Sequence, residues 1–190
     1  MCAAFIGDIE MARENLFGKD EKNNDGETAL ILAAKAGHEG IVELLDPTDS
    51  GGVTALMRAA DRGDVETVRH LIPLQKRRMA QYVKMNEWEV YKRTALMMGA
   101  ARGHTEVVRL LVEHEGGVKN WRDQTALMHA AENSHPECVE LLLEKEGGMR
   151  ISNGWTALML AARSGCLECA ELLAEKEASM QGSSDWTAFM

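Results

Sequence analysis

The chain of 190 residues repeats itself, and this repetition limits its possible folds more than any other feature. Thr-Ala-Leu occurs five times and Thr-Ala-Phe once, at spacings of 26, 40, 31, 31 and 31 residues. Counting from each Thr, a small pair of residues stands at positions five and six, Gly or Ser at position nine, and Leu at position seventeen. The units begin at Thr28, Thr54, Thr94, Thr125, Thr156 and Thr187. A period of this length is typical of proteins built from stacked repeats.

Each unit is predicted to fold as helix, turn, helix and loop. The positions after Thr hold mostly Ala, Leu and Met, which favour helix, and the Thr hydroxyl is suited to cap the helix start. Gly at position nine suits a left-handed helix end. A second apolar stripe at helical spacing follows, as in Val107, Val108, Leu111 and Val112. Because no unit can bury its apolar face alone, the units are expected to stack.

The segment from Gly154 to Gly165, Gly-Trp-Thr-Ala-Leu-Met-Leu-Ala-Ala-Arg-Ser-Gly, resembles the ankyrin repeat, and the resemblance covers nearly all of the chain. It implies an all-α solenoid of stacked helix-turn-helix units with short finger loops. In most units Thr-Ala-Leu-Met replaces the family's usual Thr-Pro-Leu-His, a variant similar to that of ankyrin-only proteins and ankyrin-tailed kinases of some protists. One domain over residues 1–190 is expected, with a partial unit at 1–24, units at about 25–50, 51–90, 91–121, 122–152 and 153–183, and a partial unit at 184–190.

Two units differ in length from the 31-residue units. The unit that begins at Thr28 is five residues shorter, so its finger loop is expected to be clipped. The next unit is nine residues longer, and its excess follows Pro73. This insertion, Leu74 to Arg93, carries a net charge of +4. We interpret it as an elongated second helix and finger with a solvated basic face; the alternative is an amphipathic helix that docks on an acidic partner or a membrane surface.

Composition excludes several classes of function. The net charge is −9, and an acidic chain has no general attraction for nucleic acid or anionic membranes, so neither is an expected partner. The longest uncharged stretch, Ile151 to Ala162, has twelve residues, fewer than the roughly 18–20 that a spanning helix needs. The first residues lack the basic segment of a secretory signal. We therefore expect an intracellular, cytoplasmic protein.

The cysteines permit a metal site but favour a structural interpretation. Cys166 and Cys169 have the spacing of half a zinc site, and His135 and Cys138 stand one unit upstream. However, Cys138 and Cys169 share an apolar column of the repeat, where a free cysteine acts as a small core residue. Four cysteines are also too few for a disulfide framework in a chain of this length. We expect no metal ion.

Two further columns are expected to be structural. Histidines recur in the turn between the two helices and are predicted to make the same hydrogen bond in each unit, while methionines recur three residues after Thr and are predicted to lie in the core. They are His38, His104 and His135, and Met57, Met97, Met128, Met159 and Met190.

No motif indicates catalysis. The sequence contains no glycine-rich dinucleotide fingerprint, phosphate-binding loop, His-Glu-x-x-His pair, nucleophile elbow or kinase signature. We predict a protein that is not an enzyme and needs no cofactor.

The resemblance implies binding of other proteins through a concave surface formed by finger loops and first helices. The matching positions lie one residue before each Thr and seven and eight residues after it. The candidate partner-binding residues are Trp155, Trp186, Arg62, Arg93, Arg102, Arg163, Gln124 and Glu132. Trp and Arg are enriched at binding hot spots. Two alternatives remain: a structural protein that assembles head to tail through uncapped ends, and a regulatory array related to ankyrin-tailed kinases.

Overall fold

The computed structural model describes residues 2–80, 83–85, 88–90 and 92–177. Helices dominate this part of the chain and come in pairs, which confirms the all-α solenoid. The helices are α1 Cys2–Ile6, α2 Ile9–Glu14, α3 Ala29–Lys35, α4 Glu39–Leu45, α5 Ala55–Arg62, α6 Val65–Gln75, α7 Ala95–Arg102, α8 Thr105–Glu115, α9 Ala126–Glu132, α10 Pro136–Glu146, α11 Ala157–Ser164 and α12 Leu167–Glu177, and a 3-10 turn lies at Leu16–Gly18.

Thr hydroxyls begin most of the first helices, as the sequence predicts. The side chains of Thr28, Thr54, Thr94 and Thr156 each accept a hydrogen bond from the backbone amide three residues on, at 3.3–3.4 Å. Thr125 makes no such cap. The prediction of a cap is therefore wrong at Thr125. Helix α9 nevertheless begins at the same position of the repeat as the other first helices.

Glycine is favoured at the ends of these helices because the backbone there is left-handed and, at some positions, because the next unit leaves no space for a side chain. Gly103 has a φ of +76°, a left-handed conformation that side chains other than glycine rarely adopt. A Cβ atom there would also lie 2.6 Å from Nδ1 of His135 in the next unit. At Gly165 the φ is +75°, but nothing lies within 4 Å of such a Cβ atom.

The core runs along the whole stack instead of forming a central globule. Helices α5, α7, α9 and α11 pack in one row, and α6, α8, α10 and α12 pack in a second row beside it. The second helices bury their apolar stripes completely, as at Val107, Val108 and Leu111. Met190 lies outside the described residues, but the other methionines of the third column are at most 5% exposed, which confirms their core position; they are Met57, Met97, Met128 and Met159.

The shortened unit packs differently from the others. Helix α3 lies against α4 and α6, and α1 lies against α3. A cleft of about 430 Å³ lies where this unit meets the next, lined by residues such as Leu30, Leu45 and Arg62. Helix α4 has 7 residues, whereas α6, α8, α10 and α12 have 11 each, so the shortening lies mainly in the second helix and the predicted clipped finger loop is wrong.

The insertion forms a β-hairpin, so the predicted elongated helix is wrong. Helix α6 has 11 residues, as do α8, α10 and α12. Strand β1, Val83–Met85, then pairs antiparallel with strand β2, Trp88–Val90, and Val83 lies opposite Val90. The amphipathic-helix alternative is wrong for the same reason. A bridge between Ala80 and Arg93 continues the ladder.

Candidate functional site

A finger is the loop between the second helix of one unit and the first helix of the next. In several units, one side chain at the same position of the repeat holds the conformation of this loop. In the loop before α9, Asn120 Oδ1 accepts hydrogen bonds from the backbone amides of Arg122 (2.9 Å) and Gln124 (3.0 Å). Asn23 and Asp49 make the equivalent pair of bonds in their own loops. Asn and Asp are suited to this because their short side chains reach the amide two residues on. The loops are thus fixed before any partner arrives.

Buried glutamates at one position of the repeat anchor two of the fingers to the following unit, and the sequence-based prediction did not include them. Glu146 Oε2 accepts from the amide of Leu127 (2.7 Å), and its Oε1 accepts from Gly117 (2.9 Å) at the base of the preceding finger. Glu115 makes the same bonds to Leu96 and Arg77. Burial raises the pKa of both carboxyls, and the backbone hydrogen bonds oppose that rise. The sequence does contain a signal for this position, because a Gln or Glu stands 21 residues after the Thr of its unit at Gln75, Glu115 and Glu146.

The histidine column links successive units, as predicted. The ring nitrogen Nε2 donates to a backbone carbonyl of the preceding unit in each case, because a carbonyl oxygen can only accept. The bonds join His38 to Phe5 (3.2 Å), His104 to Asp61 (3.1 Å) and His135 to Ala101 (3.3 Å).

Two candidate arginines form ion pairs with the unit before them. Arg102 Nε donates to Asp61 Oδ1 at 2.9 Å, and the guanidinium of Arg163 pairs with the carboxylate of Glu132. These side chains are 28–54% exposed, so solvent screens the pairs and each contributes little to stability. The structure therefore brings Arg163 and Glu132 together and places Arg102 in a separate pair.

Trp155 and Arg163 also lie together. The guanidinium carbon of Arg163 lies 5.2 Å from the centroid of the Trp155 ring, within cation–π range. The indole is partly buried and packs against the core at the base of the finger. One guanidinium thus contacts both an aromatic ring and a carboxylate. Trp186, the matching candidate, lies outside the described residues.

A second tryptophan–arginine pair lies on the neighbouring finger, and the sequence analysis did not select it. The guanidinium of Arg122 lies 4.7 Å from the ring centroid of Trp121, whose side chain is 49% exposed. Both residues fall between the columns used for the prediction, at the tip of the finger. Their exposure, which the sequence does not reveal, is what identifies them.

The remaining candidates occupy different settings. Arg62 is exposed and lines the cleft beside the shortened unit. The side-chain oxygen of Gln124 accepts a hydrogen bond from Asn120 inside the finger. Arg93 is only 9% exposed; its burial lowers its pKa, and the carboxylates of Asp61 and Glu132 oppose that change. Little of its surface is open to a partner.

His129 lies fully buried in α9. Burial lowers the pKa of His129 to about 3, so the ring is neutral. The Asn120 Nδ2 amide lies 3.4 Å from His129 Nε2 and can only donate, which requires an unprotonated nitrogen there. This contact joins the finger to the first helix of its own unit.

The cysteines differ from the prediction in one respect. Cys138 and Cys169 are fully buried, which confirms their core position. Cys169 is not free, however, because a disulfide bond joins it to Cys166. No group of three or more His, Cys, Asp or Glu side chains within the described residues is placed to hold a metal ion.

Together, the paired helices, the left-handed glycines and the fingers define a helical repeat protein with an elongated, regularly spaced surface. Three copies of a family model for ankyrin repeats match the chain, at residues 1–81, 76–153 and 96–184. The chain belongs to the ankyrin-repeat family, whose members generally act as protein–protein interaction modules. A comparison with curated proteins found no match. Among the described residues, none of the helices has the length and apolar character needed to cross a membrane.

Proposed function

We propose that this protein is a non-catalytic scaffold that binds other proteins through its finger loops and first helices. The observation that carries the proposal is the pair of neighbouring fingers that each present an indole with an arginine over it, Trp121 with Arg122 and Trp155 with Arg163. Large aromatic side chains and arginines dominate the binding energy of many protein interfaces.

Rigidity supports the same proposal. The side chain of Asn120 and the buried carboxylate of Glu146 fix the conformation and the base of the finger that carries Trp121. A surface that is already ordered loses less conformational entropy when it binds. A partner would therefore meet Trp121 on a finger whose conformation is already fixed.

The other candidates belong to the same proposed surface with different roles. Arg102 and Glu132 are proposed to contribute charge to this surface beside their ion-pair partners Asp61 and Arg163, and Arg62 is proposed to extend the surface toward the cleft. Gln124 and Arg93 are proposed to act mainly by holding the finger and the charged side chains in place. Trp186 is proposed as a further contact at the last matching position.

Site-specific crosslinking tests the proposal. A photoreactive amino acid would replace Trp121 or Trp155, and a matched control would carry it at Arg109, which is exposed on α8. We expect partner proteins to be crosslinked from positions 121 and 155 and not from 109. Equal crosslinking from all three positions, or from 109 alone, would place the binding surface elsewhere.

Self-association through the ends is the second candidate function. Helices α1 and α2 and the 3-10 turn after them expose several large apolar side chains, which commonly mark an interaction site when they are contiguous. They are Phe5 (64% exposed), Ile6 (69%), Ile9 (41%), Met11 (44%) and Phe17 (105%). Light scattering over a range of protein concentrations separates the candidates: a mass that rises with concentration, and falls back in Phe5→Ser, supports assembly, whereas a constant monomer mass rejects it.

A further inference from the structure

We propose that Cys166 and Cys169 form a reversible thiol–disulfide pair, a modification site that reacts with low-molecular-weight disulfides such as oxidised glutathione. The two residues stand at the start of α12 with their Cα atoms 5.3 Å apart.

The two sulfurs differ in accessibility, which sets the order of reaction. Cys166 is partly exposed just before α12, and the next side chain, Leu167, is 71% exposed. Cys169 is fully buried. An external thiol or disulfide therefore reaches Cys166 first, and Cys169 acts as the internal partner.

Local hydrogen bonding favours Cys166 as the reacting sulfur. The backbone amide of Cys169 donates to Cys166 Sγ at 3.3 Å. A hydrogen bond of this kind is stronger when its acceptor is charged, so it favours a thiolate at Cys166 over a thiol. The thiolate is the nucleophile in thiol–disulfide exchange.

Stability of the repeat does not explain the bond. Disulfide stabilisation grows with the length of the loop that is closed, and only two residues separate these cysteines. Other units hold the same turn without a disulfide. His104 and His135 occupy the position of Cys166 and hydrogen-bond to the preceding unit, while here Ser164 Oγ donates to the carbonyl of Ala131 instead.

The reaction balances in two exchange steps. The Cys166 thiolate attacks one sulfur of the external disulfide, whose other sulfur leaves as a thiolate, and a mixed disulfide forms at Cys166. The Cys169 thiolate then attacks Cys166 Sγ and releases the second external thiolate. In total, two protein thiols lose two protons and two electrons, and one external disulfide becomes two thiols. Excess external thiol reverses both steps.

Alkylation followed by intact-mass measurement tests the proposal on the full chain. The test uses the Cys2→Ser variant, because Cys2 is an exposed free cysteine that would itself form a glutathione adduct. Reduced and alkylated in denaturant, this variant should show three alkylated cysteines. After equilibration with oxidised glutathione it should show one alkylated cysteine and a mass that reflects the loss of two hydrogen atoms. Adding excess reduced glutathione should restore three. Cys138→Ser in the same background, the matched control, should lose one alkylation site and keep the exchange.

Variants separate the two roles. In the same background, Cys169→Ala should accumulate a glutathione adduct at Cys166, because the second step is lost, whereas Cys166→Ser should give no intramolecular bond. Three alkylated cysteines after oxidation of the Cys2→Ser protein would overturn the proposal. So would a bond that excess reduced glutathione cannot open, or protection that persists in Cys166→Ser.

Discussion

Glu146 accepts a hydrogen bond from the backbone amide of Leu127 at 2.7 Å, although the two residues lie 19 positions apart in the chain. Its second oxygen binds the amide of Gly117. A single buried carboxylate thus ties α10 to the first helix of its own unit and to the base of a finger. The same arrangement recurs at Glu115, so this contact is part of the repeat and is not confined to one unit.

The first prediction concerns the strength of this anchor. Glu146→Ala leaves one buried amide and one part-buried amide without acceptors and is expected to lower the free energy of unfolding by about 2–4 kcal/mol. Glu146→Gln should cost less, because Gln75 fills the same position and accepts from the amide of Leu56 at 2.9 Å. Urea unfolding followed by circular dichroism measures both effects.

Glu144 provides the control for this experiment because it is exposed on the same helix. Glu144→Ala should change the free energy of unfolding by no more than about 0.5 kcal/mol. If Glu146→Ala were as mild as Glu144→Ala, the buried carboxylate would not anchor the finger.

The second prediction concerns pH. The pKa of His129 falls from about 6.5 in the unfolded chain to about 3 in the fold. Between these values the unfolded chain binds the proton and the fold does not, so this group's contribution to stability is lost as the pH falls from about 6.5 toward 3. The slope is at most about 1.4 kcal/mol per pH unit.

His129→Leu isolates that slope, since Leu160 fills the same position of a later unit and is only 2% exposed. Unfolding of the wild type and the variant should be measured from about pH 5 to about pH 7.5, a range that spans the ordinary histidine pKa. The variant should lose less stability on acidification than the wild type. Parallel curves would mean that folding does not lower the pKa of His129.

Burial of Glu146 should give stability the opposite dependence on pH. Its pKa is raised in the fold, so above the unfolded value of about 4.5 the fold holds a proton that the unfolded chain has released. The stability from this group is therefore present at low pH and lost as the pH rises through the raised pKa. Glu146→Gln should remove this loss, which the same pH series would detect as a difference in slope.

The third prediction separates backbone strain from contact between units. Gly103→Ala places an alanine in a left-handed backbone conformation and brings its Cβ atom to 2.6 Å from the His135 ring. Gly165→Ala, the matched control, adds the same strain in open space. We expect about 1–2 kcal/mol of destabilisation at Gly165 and clearly more at Gly103, as measured by thermal unfolding. Equal losses would show that the His135 ring moves aside without cost.

The periodic features of the fold could be predicted from sequence because each follows from a recurring residue type. Thr at the helix start, Gly at its end and Met in the core keep their positions along the chain, and four described methionines are buried as expected. The insertion has no such periodicity. Its mixed basic and apolar residues suit helix or strand equally, and pairing of Val83 with Val90 depends on contacts that a linear pattern does not contain.

The candidate site was only partly predictable for a similar reason. Column positions identified Trp155 and Arg163, which do lie together. They did not select Trp121, because its exposure depends on how the finger folds. They also did not show that Arg93 is buried, since this follows from packing between units.

The most direct test of the central claim is the dissociation constant of a purified partner, measured by calorimetry for three proteins. The Trp155→Ala, Arg163→Ala double variant should bind at least about tenfold more weakly than the wild type, a change of about 1.4 kcal/mol. Arg109→Ala, on the exposed side of α8, should bind as the wild type does. Unchanged affinity in the double variant, or an equal loss in Arg109→Ala, would contradict binding through the finger and first-helix surface.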